Sequence, residues 1–210
     1  IRSRDETRLQ QYAHRCIQLV HQNMNNLDLP ITLISLIQGQ ALGGGFECAL
    51  SCDIIVAERG THMGFPEILF NLFPGMGAYN LLAKRGRTYS AEELYEMGVI
   101  DILAETGNGN NDVKRYLKHH MRTNNAIEAV KKAGKIAHPI TEQNLIDIVD
   151  IWVEAAMNLT EKDLGKMERL IHAQNILNNK VSSKNKKQPL ITRQGDWRSD
   201  NEVEFPLLTH

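Results

Sequence analysis

Gly39–Gly77 reads GQALGGGFECALSCDIIVAERGTHMGFPEILFNLFPGMG, and its punctuation decides the fold. Gly43–Gly45 follow a short apolar run, Ile31–Ile37 (ITLISLI), whose β-branched, nearly continuous hydrophobicity predicts a strand covered on both faces. Glycines there permit φ > 0 and a close approach of another group to bare backbone. The stretch after them, through Ser51, predicts a short helix. A helix that starts on such a turn aims unpaired N–H groups and its positive dipole end at one spot. That spot suits a carbonyl oxygen gaining charge in a transition state, and equally a phosphate. Two carboxylates then stand out. Glu47 sits inside the apolar Phe46–Leu50, and Glu67 lies between Gly64-Phe65-Pro66 and Ile68-Leu69-Phe70. Burying a carboxylate is costly unless it is paired or neutralised, so each either faces solvent or has a task; in apolar settings the pair could titrate near neutrality and share acid and base roles.

Working outward, Asp53–Ala57 and His62–Phe65 predict two further strands, with Pro66 ending the second. Residues 67–73 read as irregular, and Pro74–Gly77 as a turn into a helix through about Lys84. Ser90 and Glu93 form a capping-box pattern for a helix that stops at Gly98, and Val99–Leu103 returns as a strand. Upstream, residues 2–24 carry Leu9, Tyr12, Cys16, Leu19, Val20 and Met24 at near-helical spacing, an amphipathic helix. Downstream of Gly107–Asn111, taken as a flexible loop, helices are expected over 112–122, 125–136, 141–158 and 161–178, the last capped by Thr160. The expected division is therefore an α/β core over 1–107, a helical subdomain over 108–179 and a polar tail over 180–210, extended unless it docks.

Composition narrows the function classes. With 42% apolar and 23% charged residues the chain has ordinary globular character. A net charge of -1 argues against a nucleic-acid binder, and no apolar run approaches the ~20 residues of a membrane span. Cys16, Cys48 and Cys52 fit reduced thiols, and with no visible signal peptide a cytoplasmic location is expected. The histidines show no ligand spacing, and neither metal nor cofactor is expected. A dinucleotide site is poorly supported, because 43–47 runs G-G-G-F-E and the Gly75–Asn80 stretch lacks the last glycine of G-x-G-x-x-G. No Walker lysine follows either.

The string ALGGGFECALSCDIIVAERG…MGFPEILFNLFPGMGA resembles the signature of the crotonase (enoyl-CoA hydratase/isomerase) superfamily, A-L-G-G-G-x-E-L-x-x-x-C-D followed by a P-E pair and then P-G-x-G. Within it, FPEILFNLFPGMGAYNLLAKR and DIWVEAAMNLTEKDLGKMERLIHAQ look similar to the bacterial diffusible-signal-factor synthases, which make cis-2-unsaturated fatty acids from acyl-carrier-protein thioesters. The resemblance implies a crotonase-like ββα spiral core with a C-terminal helical subdomain. It implies Glu47 and Glu67 as catalytic pair, Gly44 N–H as an oxyanion-hole donor, and Met76, Trp152 and Leu170 as the acyl pocket. It further implies dehydration of a 3-hydroxyacyl thioester, then hydrolysis to the free acid, with an acyl-carrier protein or CoA thioester as partner and a trimer-based homo-oligomer.

Two alternatives accompany this reading: an enoyl-CoA hydratase or isomerase of fatty-acid metabolism, and a non-catalytic crotonase-like binding protein. Retained Glu47 and Glu67 speak against the latter. Basic Lys180–Lys187 reads as a solvated tail or as a contact for an acidic carrier. The superfamily's first ββα units and its other oxyanion donor have no counterpart after Ile1, and residues 84–88 are shorter than the family's; the sequence is accordingly read as part of a longer product.

Overall fold

The structure is a computed structural model, and it describes residues 1–77, 87–120, 124–137 and 139–185. The helix expected over 78–84 and the tail from residue 186 on lie outside the described residues, as does the shortened stretch up to residue 86.

The core is two small sheets joined by short helices. Strands β1 (Ile34–Ile37), β3 (Ile54–Glu58) and β6 (Ile102–Ala104) form a parallel sheet in the order β1-β3-β6. The second sheet holds β2 (Ala41–Leu42), β4 (His62–Gly64) and β5 (Thr88–Ser90), with β2 parallel and β5 antiparallel to β4. Between them lies α2 (Gly44–Leu50), whose Phe46 ring stacks on Phe65 with centroids 5.2 Å apart. Phe46, Met63, Phe65, Tyr89 and Leu94 close this core, the last from α3 (Ala91–Glu96). Its capping box is present: Ser90 Oγ accepts from Glu93 N–H at 3.1 Å, and Glu93 Oε2 accepts from Ser90 N–H at 2.9 Å.

A second core belongs to helices. Leu9, Ala13, Ile17 and Val20 of α1 (Glu6–Met24) pack on Leu145, Val149, Val153 and Ala156 of α6 (Glu142–Met157), and Leu164 of α7 (Glu161–Asn185) joins them. Each helix start is fastened locally. Asp5 accepts from Arg8 N–H, Thr141 and Asn144 bond reciprocally, and Thr160 Oγ1 accepts from Asp163 N–H at 3.3 Å. The remaining helices are α4 (Gly109–His120) and α5 (Asn124–Ala137).

Several expectations are corrected. The strand expected from Ile31 begins at Ile34 and is only half-buried over Ile34–Leu36, with Ile37 buried, because β1 is the outer strand of its sheet among the described residues. The glycine turn contains β2, residues 66–70 coil into a 3₁₀ turn, and β5 precedes α3. On α1 Leu9 and Val20 are buried as expected, but Ala13 and Ile17 complete the buried face, leaving Tyr12 and Leu19 exposed. The loop expected over 107–111 instead starts α4, since the Glu58 carboxylate accepts from the N–H groups of Gly107 at 2.8 Å and Gly109 at 3.1 Å. α4 then packs on β1, β3 and β6. The part of the tail from 180 to 185 continues α7 as helix. Among the described residues, no helix is long and apolar enough to cross a membrane.

Candidate active site

Gly43 ends β2 with φ 57° and ψ -132°, a conformation that favours glycine, and its carbonyl accepts from Phe46 and Glu47 N–H to start α2. Gly44, the first helical residue, therefore directs its N–H out of the helix with no preceding carbonyl of the helix to receive it. One turn on, Glu47 is 4% exposed. Met76 N–H, in the Pro74–Gly77 turn, donates to Glu47 Oε1 at 2.7 Å, tying that turn to α2.

Glu67 arrives from the other side, on the 3₁₀ turn Pro66–Phe70. Its carboxyl rests against the bare Cα of Gly43, where a methyl group would overlap Oε1. Its Oε2 is buried with no hydrogen-bond partner among the described residues. Burial pushes the carboxyl up to about 7; its own backbone N–H opposes this, and the charge of Glu47 adds to it.

Both carboxyls, with Gly43 and Gly44, line one cavity of about 330 Å³ between the two cores. Met76, Trp152 and Leu170 line it as well, so all six residues singled out in the sequence converge there. The Trp152 ring stands so close to Gly75 that any side chain at that glycine would overlap it. Most of the remaining wall is apolar. The geometry brings a helix N-terminus and two carboxyls together in the wall of a cavity also lined by Phe70, Leu72, Val149 and Met167. Such a site can hold an acyl chain, polarise its carbonyl and exchange protons beside it.

Sequence reasoning missed the contribution of α1. Tyr12 and Cys16 line the cavity from one face of that helix, whereas the sequence placed them only on the apolar stripe of an amphipathic helix. On α7 it found Leu170 but not Met167, Ile171 and Gln174, although the i, i+3, i+4, i+7 spacing of these four was the available signal. His62 does not line the cavity, and among the described residues no cluster of three or more His, Cys, Asp or Glu side chains could hold a metal ion.

The comparisons with known proteins agree in one direction. A model of the enoyl-CoA hydratase/isomerase family matches residues 3–169. The chain is similar to the probable mitochondrial enoyl-CoA hydratase 2 of Arabidopsis thaliana, 30% identical over 172 residues that cover 78% of this chain and 54% of that protein. It is also similar to the fatty acid oxidation complex subunit alpha of Vibrio cholerae, 28% identical over 132 residues, covering 56% of this chain and 18% of the other. The chain thus spans about half the length of the first relative and a smaller part of the second. Among solved structures, an enoyl-CoA hydratase from Mycobacterium avium subsp. paratuberculosis superimposes with TM-score 0.60 at 16% identity, covering 77% of this chain and 71% of that one. An enoyl-CoA hydratase/isomerase from Xanthobacter autotrophicus gives 0.58 at 16% identity, with 86% and 71% covered. These likenesses establish a shared crotonase-like α/β fold with a helical C-terminal part.

Proposed function

Because the chain belongs to the enoyl-CoA hydratase/isomerase family, we propose that it acts on an acyl thioester, moving water across the C2–C3 bond with Glu47 and Glu67 as acid and base. The observation that carries this is the convergence of two carboxyls and the start of α2 on one largely apolar cavity. With the thioester carbonyl at Gly44 N–H, charge that develops on its oxygen meets a donor and the positive end of α2. In the dehydration direction one carboxylate takes the C2 proton as the other carboxyl protonates the departing 3-hydroxyl, which leaves as water. Hydration runs the same transfers backwards. A carboxyl that ionises near 7 is present in both forms at neutral pH, which is what a group working in both directions needs. Isomerisation uses the same pair without net loss of water.

The relatives' names favour a CoA thioester. A narrower reading remains: a diffusible-signal-factor synthase that dehydrates a 3-hydroxyacyl carrier-protein thioester and hydrolyses it to the free cis-2 acid. The presence of Met76, Trp152 and Leu170 in the cavity wall supports it, because those positions were expected to hold the acyl chain. A trimer-based assembly and a cytoplasmic location belong to the same proposal.

The test is to incubate the protein with 3-hydroxyacyl-CoA and with 3-hydroxyacyl carrier protein, and to identify products by mass spectrometry. A trans-2-enoyl CoA ester is expected from the family reading, and a free cis-2 acid from the narrower one. Glu47→Gln and Glu67→Gln should each lower kcat by roughly 10²–10⁴-fold. Full activity in both variants would end the catalytic assignment.

A further inference from the structure

Backbone hydrogen bonds fix Gly43 from both sides: its N–H donates to Gly64 O of β4 at 2.9 Å, and its carbonyl accepts from Phe46 N–H at 2.9 Å and Glu47 N–H at 3.0 Å of α2. The peptide is thus clamped between the second sheet and the helix that carries Glu47. It is on this clamped Cα that the Glu67 carboxyl lies, with Oε1 in the space that a methyl group would take. Among the described residues no side chain donates to Oε2. Beyond the bond from its own backbone N–H, then, what keeps this carboxyl in the wall is shape. Resting on the proposed function, we infer that Gly43 is a positioning residue for Glu67: its missing side chain is the seat that holds the carboxyl inside the cavity, facing Glu47.

The consequence is specific. A methyl at Gly43 cannot move away, because both neighbouring bonds anchor the backbone, so the carboxyl must move instead. Among the described residues that line the cavity, the titratable side chains besides Glu67 are Glu47 from α2 and Tyr12 and Cys16 from α1; the lining residues of α6 and α7 carry no charge. Displaced towards solvent, Glu67 loses the burial that raises it and gains distance from Glu47. Its titration should fall back towards the ordinary glutamate range, by about one unit or more.

The experiment is carboxyl ¹³C NMR titration of protein labelled at glutamate, with the Glu67 signal assigned by its loss in Glu67→Gln. In the wild type that signal should titrate near 7. In Gly43→Ala it should titrate lower, and kcat should fall with the pH limb moving in the same direction. An unchanged Glu67 titration in Gly43→Ala overturns the inference. Because φ at Gly43 is positive, the alanine variant can fail to fold; Gly43→Ala with Glu67→Asp then decides. Shortening the acid withdraws it from the methyl, so the double variant should melt above Gly43→Ala alone. A double variant that melts no higher shows that backbone strain, not the seat, is at issue, and overturns the inference. The NMR reading is independent of turnover. A wild-type titration near 7 with full activity in Glu67→Gln would leave the seat intact and remove the proposed function instead.

Discussion

Glu67→Gln should stabilise the protein increasingly as pH rises from the ordinary glutamate range to above neutral, and leave it little changed at about pH 4 and below. A carboxyl that ionises near 7 when folded and near 4.3 when unfolded is protonated in both states at low pH. As pH rises past the lower value the unfolded chain releases its proton first. The folded state then binds more protons, so stability falls with rising pH until the folded group also ionises. Each pH unit of that gap is worth about 1.4 kcal/mol, so burying the charged form costs about 3–4 kcal/mol once the pH is well above 7. Glutamine, close in shape and uncharged, removes that cost. For a domain of this size, Tm of the variant should exceed that of the wild type by roughly 6–16 °C at pH 8, and by far less near pH 4. Other acids also titrate, among them Glu58 and Asp163, which their hydrogen bonds hold below the ordinary range. The quantity to measure is therefore the difference between variant and wild type in urea denaturation across pH, in which those contributions cancel. A difference that is the same at pH 4 and pH 8 would refute the reasoning, because it would mean that the folded carboxyl ionises as it does in the open chain.

Three further outcomes are expected. Trp152→Ala enlarges the cavity, so the preferred acyl chain should lengthen; each additional buried CH₂ is worth ~0.8 kcal/mol, roughly fourfold in kcat/KM across a chain-length series. Glu58→Gln places an amide against the N–H groups of Gly107 and Gly109 and should cost about 1–3 kcal/mol at pH 7 by chemical denaturation. Glu58 is held below the ordinary range, so its contribution is present above the unfolded pKa and lost as pH falls through the folded one; the difference from wild type should therefore shrink in acid. Ser90→Ala removes the acceptor for Glu93 N–H and should lower stability by about 1 kcal/mol, with kcat unchanged because α3 does not reach the cavity.

The legible parts of the fold were those where one local rule acts alone. The Ser90–Glu93 box and the β3 run Ile54–Ala57 could be read from spacing because nothing distant competes with them. The face of α1 could not. Leu9, Tyr12, Cys16 and Leu19 are as well spaced as Leu9, Ala13, Ile17 and Val20, and only α6 chooses between the two stripes. The choice matters for the site, since it turns Tyr12 and Cys16 towards the cavity. α4 failed for a related reason. Gly107-Asn108-Gly109 has loop chemistry, and the helix that begins there is started by a carboxylate from β3 that no window around residue 109 contains.

That carboxylate also bounds what the sequence says about the site. Glu58 follows Ile54-Ile55-Val56-Ala57 as abruptly as Glu47 follows Phe46, and it is equally buried at 4% exposure. By the rule that a carboxylate in an apolar stretch has a task, it qualifies as a third candidate. Its surroundings give it a structural task instead. Gln38 Nε2 at 2.9 Å and two backbone N–H groups satisfy it, and although burial pushes upward, those bonds hold it below the ordinary range. Glu67 has the opposite environment: a buried oxygen with no partner among the described residues, a raised ionisation and an open cavity in front. The difference between a carboxylate that binds the fold together and one free to exchange a proton lies in the donors that reach it. Those donors come from residues 20 to 51 positions away in the sequence, so the distinction exists only once the chain has folded.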